Sequence, residues 1–421
     1  MKTKYIAHII LEMETPLKVG SNASDAIQDS PIQRDWNGLP MILGTSIAGV
    51  LRKDFEGDDN EVFGKDFGSK VIISNALLLD EQEKVQEGLL TDKSEFLRLF
   101  DTLPIREHTA ITNKGVAKER SKFDEEVVFK GSRFKFSLEL IESSKEVFEA
   151  LLTQLSSPSF RLGGGSTKGF GKCKVHSIHT KSVSTAEELA DFKNSLNNTT
   201  LEKESSFVKD ARTSKHISYT LKLTPDDFFM FGSGFGDVDA DQVPVTEKCI
   251  DYDKKGLSVS HILMPASSLK GALAHRTTYH YNLQNQLYIG DENAKAFIAG
   301  LFGEAKNSKQ DIDGSKGKLL FSDCFKVDRE EHKVFDHVAI DRFTGGGIDG
   351  ALFQEKTIAQ KDEWLVEILM EKGVDEVFVQ AFESALADVC SGLLALGGAT
   401  TKGHGVFTGQ VLKDGEVLDV R

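Results

Sequence analysis

The feature that most constrains how this chain folds is an internal repeat, because four motifs occur twice and in the same order. They are an alternating strand that ends in Gly-Ser before an acidic loop (residues 17–29 and 229–241), a helix start containing Ser or Thr (41–52 and 263–273), an irregular excursion (106–127 and 336–357) and a glycine-rich loop (164–171 and 398–405). The offset between matching motifs drifts from 212 to 222 and then 234, as insertions in surface loops would produce. Chance similarity would not preserve this order, so the chain contains two copies of one module.

The repeat sets the domain boundaries. A chain of 421 residues suits two domains of about 200 residues each. We assign residues 1–178 to a first module, 179–215 to a linker and 216–421 to a second module. The linker is rich in Ser, Thr, Asn and Lys, and one helix is plausible within it, over residues 185–196.

Hydrophobic periodicity predicts the fold class. Residues 217–223 alternate between apolar and polar, which predicts a strand, whereas residues 147–155 and 374–394 have helical periodicity. Each module then has the order strand, helix, strands, helix, strand. This order predicts an α+β fold in which the helices cover one face of a sheet.

Composition limits the function classes. The net charge of −14 counts mildly against RNA binding, unless Lys and Arg concentrate in one groove. No apolar run approaches the length of about 20 residues that a membrane span needs, and the N-terminal sequence lacks a signal-peptide pattern. The four cysteines lie far apart without zinc-site spacing, so we expect free thiols, no structural zinc and a cytoplasmic protein. They are Cys173, Cys249, Cys324 and Cys390.

The helix-start motif has two interpretations. Its hydroxyl residues stand where an N-cap belongs, just before an apolar helical run, and Gly49 and Gly271 would let the helix pack closely on the sheet. Alternatively, the free N–H groups and the positive dipole end bind a phosphate. Lys270 would add charge to such a site in the second module, where the first module has Ala48. The motif alone favours the cap. The hydroxyl residues are Thr45, Ser46, Ser267 and Ser268.

The glycine-rich loops are more informative. Their glycines permit positive φ and a close approach of the backbone to a ligand, and Lys168 and Lys402 place a cation among the N–H groups. The spacing is neither that of a Walker A loop nor that of a dinucleotide-binding fingerprint. Because the loop occurs twice in the same setting, binding of a sugar-phosphate backbone and a simple tight hairpin are equally good interpretations.

The acidic loops contain the candidate catalytic residues. Asp29 precedes Ser30-Pro31, and Asp241 ends the run Asp237-Val238-Asp239-Ala240-Asp241. Both could be Asx turns or solvated loops. An aspartate in such a loop could instead hold a divalent cation or orient a 2′-hydroxyl for attack on the neighbouring phosphate.

Together these motifs resemble the RAMP superfamily of CRISPR proteins, and in particular the backbone subunits of type III effector complexes, in a form with two fused modules. The resemblance implies a ferredoxin-like, RNA-recognition-like core in each module. Such subunits polymerise along a CRISPR RNA and grip its backbone with the helix start and the glycine-rich loop, while a thumb hairpin wedges between bases. The thumbs would be residues 106–127 and 336–357. The motifs are LGTSIAG (43–49), PASSLKG (265–271), GGGSTKGFG (163–171), GGATTKGHG (397–405) and the segments 29–35 and 338–345.

The resemblance also implies the site residues. In type III backbones, an aspartate after the first strand supports metal-dependent cleavage of the paired target RNA. Asp29 and Asp241 match that position and would hold the divalent metal, which we expect to be Mg²⁺. Asp239 is a rival to Asp241, because the position of Pro244 indicates one inserted residue. The implied RNA-binding residues are Thr45, Ser46, Arg52, Arg106, Gly164, Gly165, Lys168, Gly169, Ser267, Ser268, Lys270, Arg342, Gly398, Lys402 and Gly403.

The implied partners are a CRISPR RNA, a single-stranded target RNA, and the large, small and further backbone subunits of the effector complex; no membrane partner is expected. Two departures from the family pattern concern the first module, which has Ala48 in place of a Lys and Ile111-Thr112-Asn113 in place of an Ile-Asp-Arg triplet. Two alternatives stay open: a scaffold that holds guide RNA and cuts nothing, and an endoribonuclease that processes precursor CRISPR RNA.

Overall fold

The computed structural model describes residues 3–20, 31–65, 68–112, 115–192, 195–197, 201, 203–204, 215–288, 292–304 and 314–419. The strands of the first part of the chain are β1 (Lys4–Met13), β2 (Met41–Ile42), β3 (Val71–Ile73), β4 (Ala76–Leu78), β5 (Ile105–Ile111), β6 (Ala117–Glu126), β7 (Arg133–Ile141), β8 (Cys173–Val183) and β9 (Lys203–Glu204). Its helices are α1 (Gly44–Asp54), α2 (Asp59–Phe63), α3 (Glu95–Arg98), α4 (Lys145–Leu155) and α5 (Ala186–Asp191), with a 3₁₀ turn at Leu99–Asp101.

The second module begins with β10 (His216–Pro225). Its further strands are β11 (Thr246–Glu247), β12 (Ile250–Asp251), β13 (Gly256–Leu257), β14 (His261–Met264), β15 (Gly303–Glu304), β16 (Ser315–Lys316), β17 (Leu319–Phe321), β18 (Cys324–Val327), β19 (His332–Ile340), β20 (Gly347–Ile358), β21 (Trp364–Glu371), β22 (Phe407–Lys413) and β23 (Glu416–Val417). Its helices are α6 (Ala266–Asn285), α7 (Glu292–Phe302) and α8 (Glu376–Cys390), with a 3₁₀ turn at Thr400–Lys402.

Both modules are built on the same four-stranded antiparallel core. In the first module the strands lie in the spatial order β3, β7, β1, β8, and in the second in the order β17, β21, β10, β22. One helix follows the first core strand (α1 or α6) and another precedes the last (α4 or α8). This is the strand order and connectivity of a ferredoxin-like fold, so the predicted α+β class with two tandem modules is confirmed.

Each core is filled by apolar residues whose burial the hydrophobic periodicity predicted. Along β10, Tyr219, Leu221 and Leu223 are fully buried at every second position, as expected for a strand that is covered on one face. The predicted helices also form, as α4 and α8, and each begins at a side-chain cap, Ser144 or Asp375. Each module therefore has its own hydrophobic core. No helix in the described ranges is long and apolar enough to cross a membrane.

The linker differs from the expectation at its start. Strand β8 continues past the predicted boundary at residue 178, because its pairing with β1 extends to Val183 opposite Lys4. The short strand β9 then pairs with β8 and extends the same sheet. The expected linker helix is α5, which is shorter than predicted and begins at a capping box formed by Thr185 and Glu188.

The two excursions of the repeat are two-stranded hairpins that stand apart from the core sheets, β5–β6 and β19–β20. Large apolar side chains are exposed along both hairpins, and Phe343 at the turn of the second is 99% exposed. We refer to these hairpins as the first and second thumb.

A short hairpin of the second module docks into the first. Between Glu247 and Leu263 the second module carries ten residues more than the first, and they include the β12–β13 hairpin. Tyr252 in this hairpin is buried in the core of the first module, where its hydroxyl donates to the carbonyl of Leu79 (3.1 Å) and accepts from the N–H of Arg133 (3.2 Å). The expectation that this insertion is a surface loop is wrong, because its aromatic side chain is buried between the modules.

Candidate nucleic-acid interface

The helix starts are not capped by their own hydroxyl groups. Helix α1 begins at Gly44 and α6 at Ala266, and the N-cap residues, Leu43 and Pro265, make no side-chain cap. The predicted N-cap role is therefore wrong for Thr45, Ser46, Ser267 and Ser268, which lie within the first helical turn. Close packing of Gly49 and Gly271 on the sheet is also wrong, because a Cβ at either position would meet nothing within 4 Å.

Side chains from a distant strand end cap both helices instead. The N–H of Gly44 donates to Oδ1 of Asn75 (2.9 Å), and the N–H of Ala266 donates to Oδ1 of Asp323 (2.8 Å). Both acceptors follow a serine after a short apolar strand, in the sequences Ile-Ile-Ser-Asn (72–75) and Leu-Phe-Ser-Asp (320–323). This pair is a fifth repeated motif, and the sequence contained its signal. The capping leaves the hydroxyl groups of the first turn free for other contacts.

Each glycine-rich loop is held against the end of the strand that precedes the acidic loop. The N–H of Gly164 donates to the carbonyl of Lys18, and the N–H of Gly398 donates to that of Met230, both at 2.7 Å. The residue before each donor, Gly163 or Gly397, has positive φ, and a Cβ there would lie within 2.3 Å of the same carbonyl. Glycine is therefore required at this point of both loops.

The first glycine-rich loop also touches the helix start of the second module. Gly169 forms a parallel bridge with Ser322, next to the cap of α6, and Nζ of Lys270 donates to Oγ1 of Thr167 (3.2 Å). Burial lowers the pKa of Lys270 to about 8, and the charge of Lys168 adds to this effect. The structure thus joins two predicted RNA-binding motifs, from different modules, in one cationic site. We call it the seam site, formed by Thr167, Lys168, Gly169, Ser267, Ser268 and Lys270.

Arg106 was expected to bind RNA, but the structure buries it between the modules. Its guanidinium donates to both carboxylate oxygens of Glu247, one of them at 2.9 Å, and also to Asp323. Burial alone would lower the pKa of Arg106, but the charges and hydrogen bonds of Asp323 and Glu247 raise it above its ordinary value. The side chain is only 5% exposed, so Arg106 joins the modules in place of the expected contact with RNA.

Arg52 is likewise engaged within the protein. It lies in the last turn of α1, away from the helix start, and its guanidinium donates to Asp59 (2.7 Å), to Asn60 (2.9 Å) and to the carbonyl of Gly64 (3.1 Å). These contacts attach α2 to α1, and the predicted RNA contact of Arg52 would compete with them at a side chain that is 37% exposed. Arg342, by contrast, is exposed in the turn of the second thumb, beside Phe343.

The two acidic loops have the same length. Gly20 bridges Ile32 in the first module, and Gly232 bridges Pro244 in the second. The two residues of each bridge are therefore equally far apart in the sequence, so the second loop contains no inserted residue. The reason for considering Asp239 in place of Asp241 no longer holds. By position, Asp241 corresponds to Asp29, which lies outside the described residues.

The second acidic loop is fixed against the second thumb. Oδ2 of Asp241 accepts from the backbone N–H of Gln354 (2.8 Å), whereas Asp237 and Asp239 form ion pairs with Lys356 (2.6 and 2.9 Å). The hydrogen bond and charge of Lys356 lower the pKa of Asp237. Among the described residues, no group of three or more His, Cys, Asp or Glu side chains could hold a metal ion. Asp241 is exposed and, within the described ranges, is the carboxylate of this loop that forms no ion pair with a lysine.

The base of each thumb holds a cluster that sequence reasoning missed. In the first, Nε2 of His108 lies 3.3 Å from Oε2 of Glu125, and the imidazole stacks on Phe123. In the second, Nε2 of His337 lies 3.4 Å from Oε2 of Glu355, and the imidazole stacks on Phe353. The Nζ atoms of Lys168 and Lys402 lie over the respective phenylalanine rings, at 5.2 and 4.6 Å from the ring centres. The common Phe-x-Glu spacing (123–125 and 353–355) was the available signal.

Comparison with known proteins agrees with this architecture. The sequence matches the RAMP superfamily over two stretches, residues 10–174 and 257–408, which together cover well over half of the chain. Each stretch contains one helix start, one thumb and one glycine-rich loop. No curated protein gives a significant match to the chain. The chain belongs to the RAMP superfamily, whose members are in general CRISPR-associated RNA-binding proteins.

Proposed function

We propose that this protein is a backbone subunit of a type III CRISPR effector complex, which holds a guide RNA and supports cleavage of the target RNA paired with it. The observation that carries the proposal is the seam site, where Lys168 and Lys270 face the same small region from two modules. Phosphate binding there would relieve the repulsion between the two lysines. Further partners would be the other subunits of the complex.

The net charge of −14 counted against RNA binding unless cations concentrate in one place, and the seam site provides such a place. Two lysines close together create a locally positive potential, and after burial the charge of Lys168 is the second cause that lowers the pKa of Lys270 to about 8. The exposed residue Ser268 supplies a neutral hydroxyl group beside that charge. A local site of this kind binds a phosphodiester even when most of the surface is acidic.

The proposed cleavage depends on the acidic loops. Mg²⁺ commonly uses one or two protein carboxylates and completes its shell with water and phosphate oxygens, so the exposed Asp241 fits such a role. Asp237 and Asp239 fit less well, because both are paired with Lys356. When bound, the cation would offset the charge that develops on the phosphate during attack by the 2′-hydroxyl. The contribution of the chain is to hold the Asp241 carboxylate through the N–H of Gln354.

Binding is tested with Lys168→Met and Lys270→Met in the full-length chain, using single-stranded RNA. We expect each variant to weaken binding and to lower the slope of log affinity against log salt by about 0.7, the value for one phosphate contact in a single strand. Lys145→Met is the matched control, because Lys145 is an exposed lysine on α4 paired with Glu149. A wild-type affinity that does not change with salt would refute RNA binding through this site.

Cleavage is tested in the assembled complex with Asp29→Asn, Asp241→Asn and, as the control, Asp239→Asn. We expect the first two each to remove one target cut and the third to remove none. If every cut persists in all three variants, the protein is a scaffold that holds guide RNA without cutting. Specific cleavage of precursor RNA by the protein alone, without a metal, would favour the processing endoribonuclease instead.

A further inference from the structure

We propose that the residue at the end of the strand before each acidic loop determines whether the lysine of the glycine-rich loop is available to an RNA phosphate. That residue is Lys18 in the first module and Met230 in the second. The inference rests on the proposed RNA binding and goes beyond it, because it makes the two glycine-rich loops unequal. Lys18 would be a positioning residue that leaves Lys168 free, whereas Met230 leaves Lys402 bound within the protein.

Lys18 and Met230 occupy the same place in the two modules. Each accepts, through its backbone carbonyl, the N–H of Gly164 or Gly398 in the glycine-rich loop at 2.7 Å. The preceding residues are also equivalent, since Leu17 bridges Val128 and Phe229 bridges Ile358, each near the end of the second strand of the respective thumb. The two side chains therefore start from the same backbone position and differ only in chemistry.

Lys18 contacts a buried carboxylate, Glu125, and the second module has the equivalent carboxylate, Glu355. Glu125 is 7% exposed and Glu355 is fully buried, and each lies at the base of a thumb beside a histidine. A carboxylate without access to water is costly unless a cation and hydrogen bonds compensate it. Each module must therefore supply a cation to its glutamate, and the two modules do so from different places.

In the first module the cation comes from Lys18. Its Nζ donates to Oε1 of Glu125 at 2.6 Å. Burial opposes ionisation of Glu125, but hydrogen bonds from His108 and Lys18, with the charges of Lys18 and Lys168, lower its pKa to about 2. Lys168 is a more distant charge in this cluster, and within the described ranges no carboxylate lies at ion-pair distance from it. Its ammonium group rests over Phe123 and remains close to Lys270.

In the second module Met230 cannot compensate the carboxylate, and the lysine of the loop does so. Nζ of Lys402 donates to Oε2 of Glu355 at 2.9 Å. Lys402 thus forms an ion pair within the protein, although its side chain is 38% exposed. The same Thr-Lys-Gly sequence therefore presents a free cation in the first glycine-rich loop and a neutralised one in the second.

The test exchanges the two residues, in the full-length chain and with single-stranded RNA as the ligand. We expect Lys18→Met to draw Lys168 onto Glu125, weaken binding and lower the salt slope by about 0.7. We expect Met230→Lys to release Lys402, strengthen binding and raise the slope by a similar amount. Lys18→Arg is the conservative control and should bind RNA like the wild type.

Two double variants separate positioning from other effects. If Lys18 acts by freeing Lys168, then Lys18→Met has no further effect in a Lys168→Met background. If Met230→Lys acts through Lys402, its gain disappears in a Lys402→Met background. Persistence of either effect in the double variant would overturn the inference. A wild-type protein without salt-dependent RNA binding would instead refute the proposed function itself, so the two failures are distinguishable.

Discussion

The two glycine-rich loops have nearly the same sequence and different surroundings. A Cβ at Gly169 in the first loop would lie 2.3 Å from Oδ1 of Asp323 and 2.6 Å from the Cβ of Ala266, whereas a Cβ at Gly403 would meet nothing within 4 Å. The first loop is packed against the next module, and the second faces no module within the described chain. A shared motif thus provides a common loop shape, while its neighbours decide whether that loop belongs to a closed contact or an open surface.

The thumb bases differ in the same way. Arg106 and Phe335 are equivalent, since each stands two residues before the histidine of its thumb. Arg106 reaches across to the second module, whereas Phe335 packs within its own module against Phe228 and His404. Part of the contact between the modules is therefore made by side chains, such as that of Arg106, that the repeat does not share.

The largest effect is expected for Arg106→Met, which would break the buried ion pairs between the modules. Removing one partner of a buried pair leaves uncompensated carboxylates, so we expect a loss of about 3–5 kcal/mol in the free energy of unfolding. Urea denaturation measures this loss. Lys172→Met is the control, because Lys172 also pairs across the modules, with the exposed Glu367, and should cost less than about 1 kcal/mol. Equal losses in the two variants would show that burial of Arg106 contributes nothing.

The next effect separates the two glycine-rich loops by Gly169→Ala and Gly403→Ala. Both glycines have positive φ (+108° and +90°), so each substitution should cost about 1–2 kcal/mol through backbone strain. Gly169→Ala should cost about 1–3 kcal/mol more, because its Cβ clashes with the cap of α6. Thermal unfolding of both variants gives the comparison. If Gly403→Ala is equally damaging, the first loop is not packed more tightly than the second.

A smaller effect concerns the pH dependence of RNA binding at the seam site. The pKa of Lys270 in the free protein is lowered to about 8, and a bound phosphate favours its charged form. Above pH 8 Lys270 is mostly neutral in the free protein, so RNA binding requires it to take up a proton. The affinity therefore falls as the pH rises through this value, and we expect the binding free energy to weaken by about 1 kcal/mol, the contribution of one hydrogen bond. Lys270→Arg should bind RNA with no change between pH 7 and 9. A wild-type affinity that is constant over this range contradicts the prediction.

The sequence predicted the features that depend on local patterns. The α+β element order, α4, α8 and both glycine-rich loops follow from periodicity and glycine spacing within short segments, whereas the ferredoxin-like core and both thumbs were implied by the resemblance to the RAMP superfamily. It did not predict contacts between distant residues, such as Arg106 with Asp323 or the docking of Tyr252 into the first module. An arginine in an excursion looks the same whether it faces RNA or a carboxylate 217 residues further along the chain. The insertion that carries Tyr252 resembled a surface loop, because its acceptor is a backbone carbonyl that no side-chain pattern marks.

The smallest effect is expected in the second acidic loop, where Lys356 occupies the position that Glu126 has in the first thumb. Glu126 accepts from the N–H of Ile32 and lies 3.4 Å from Arg34, whereas Lys356 pairs with Asp237 and Asp239. The Asp239 side chain is 62% exposed, so Asp239→Asn should change the free energy of unfolding by less than about 0.5 kcal/mol.

Glu126→Gln is the matched variant in the first module and should cost about 1 kcal/mol, because its side chain is only 10% exposed. Urea denaturation compares the two variants. A larger loss for Asp239→Asn would mean that the acidic loop is held by that exposed pair. A smaller loss leaves the hydrogen bond from the backbone N–H of Gln354 to the Asp241 carboxylate as the anchor, since this contact does not involve Asp239 or Lys356. The carboxylate proposed to hold the metal would then keep its place when its acidic neighbour is neutralised.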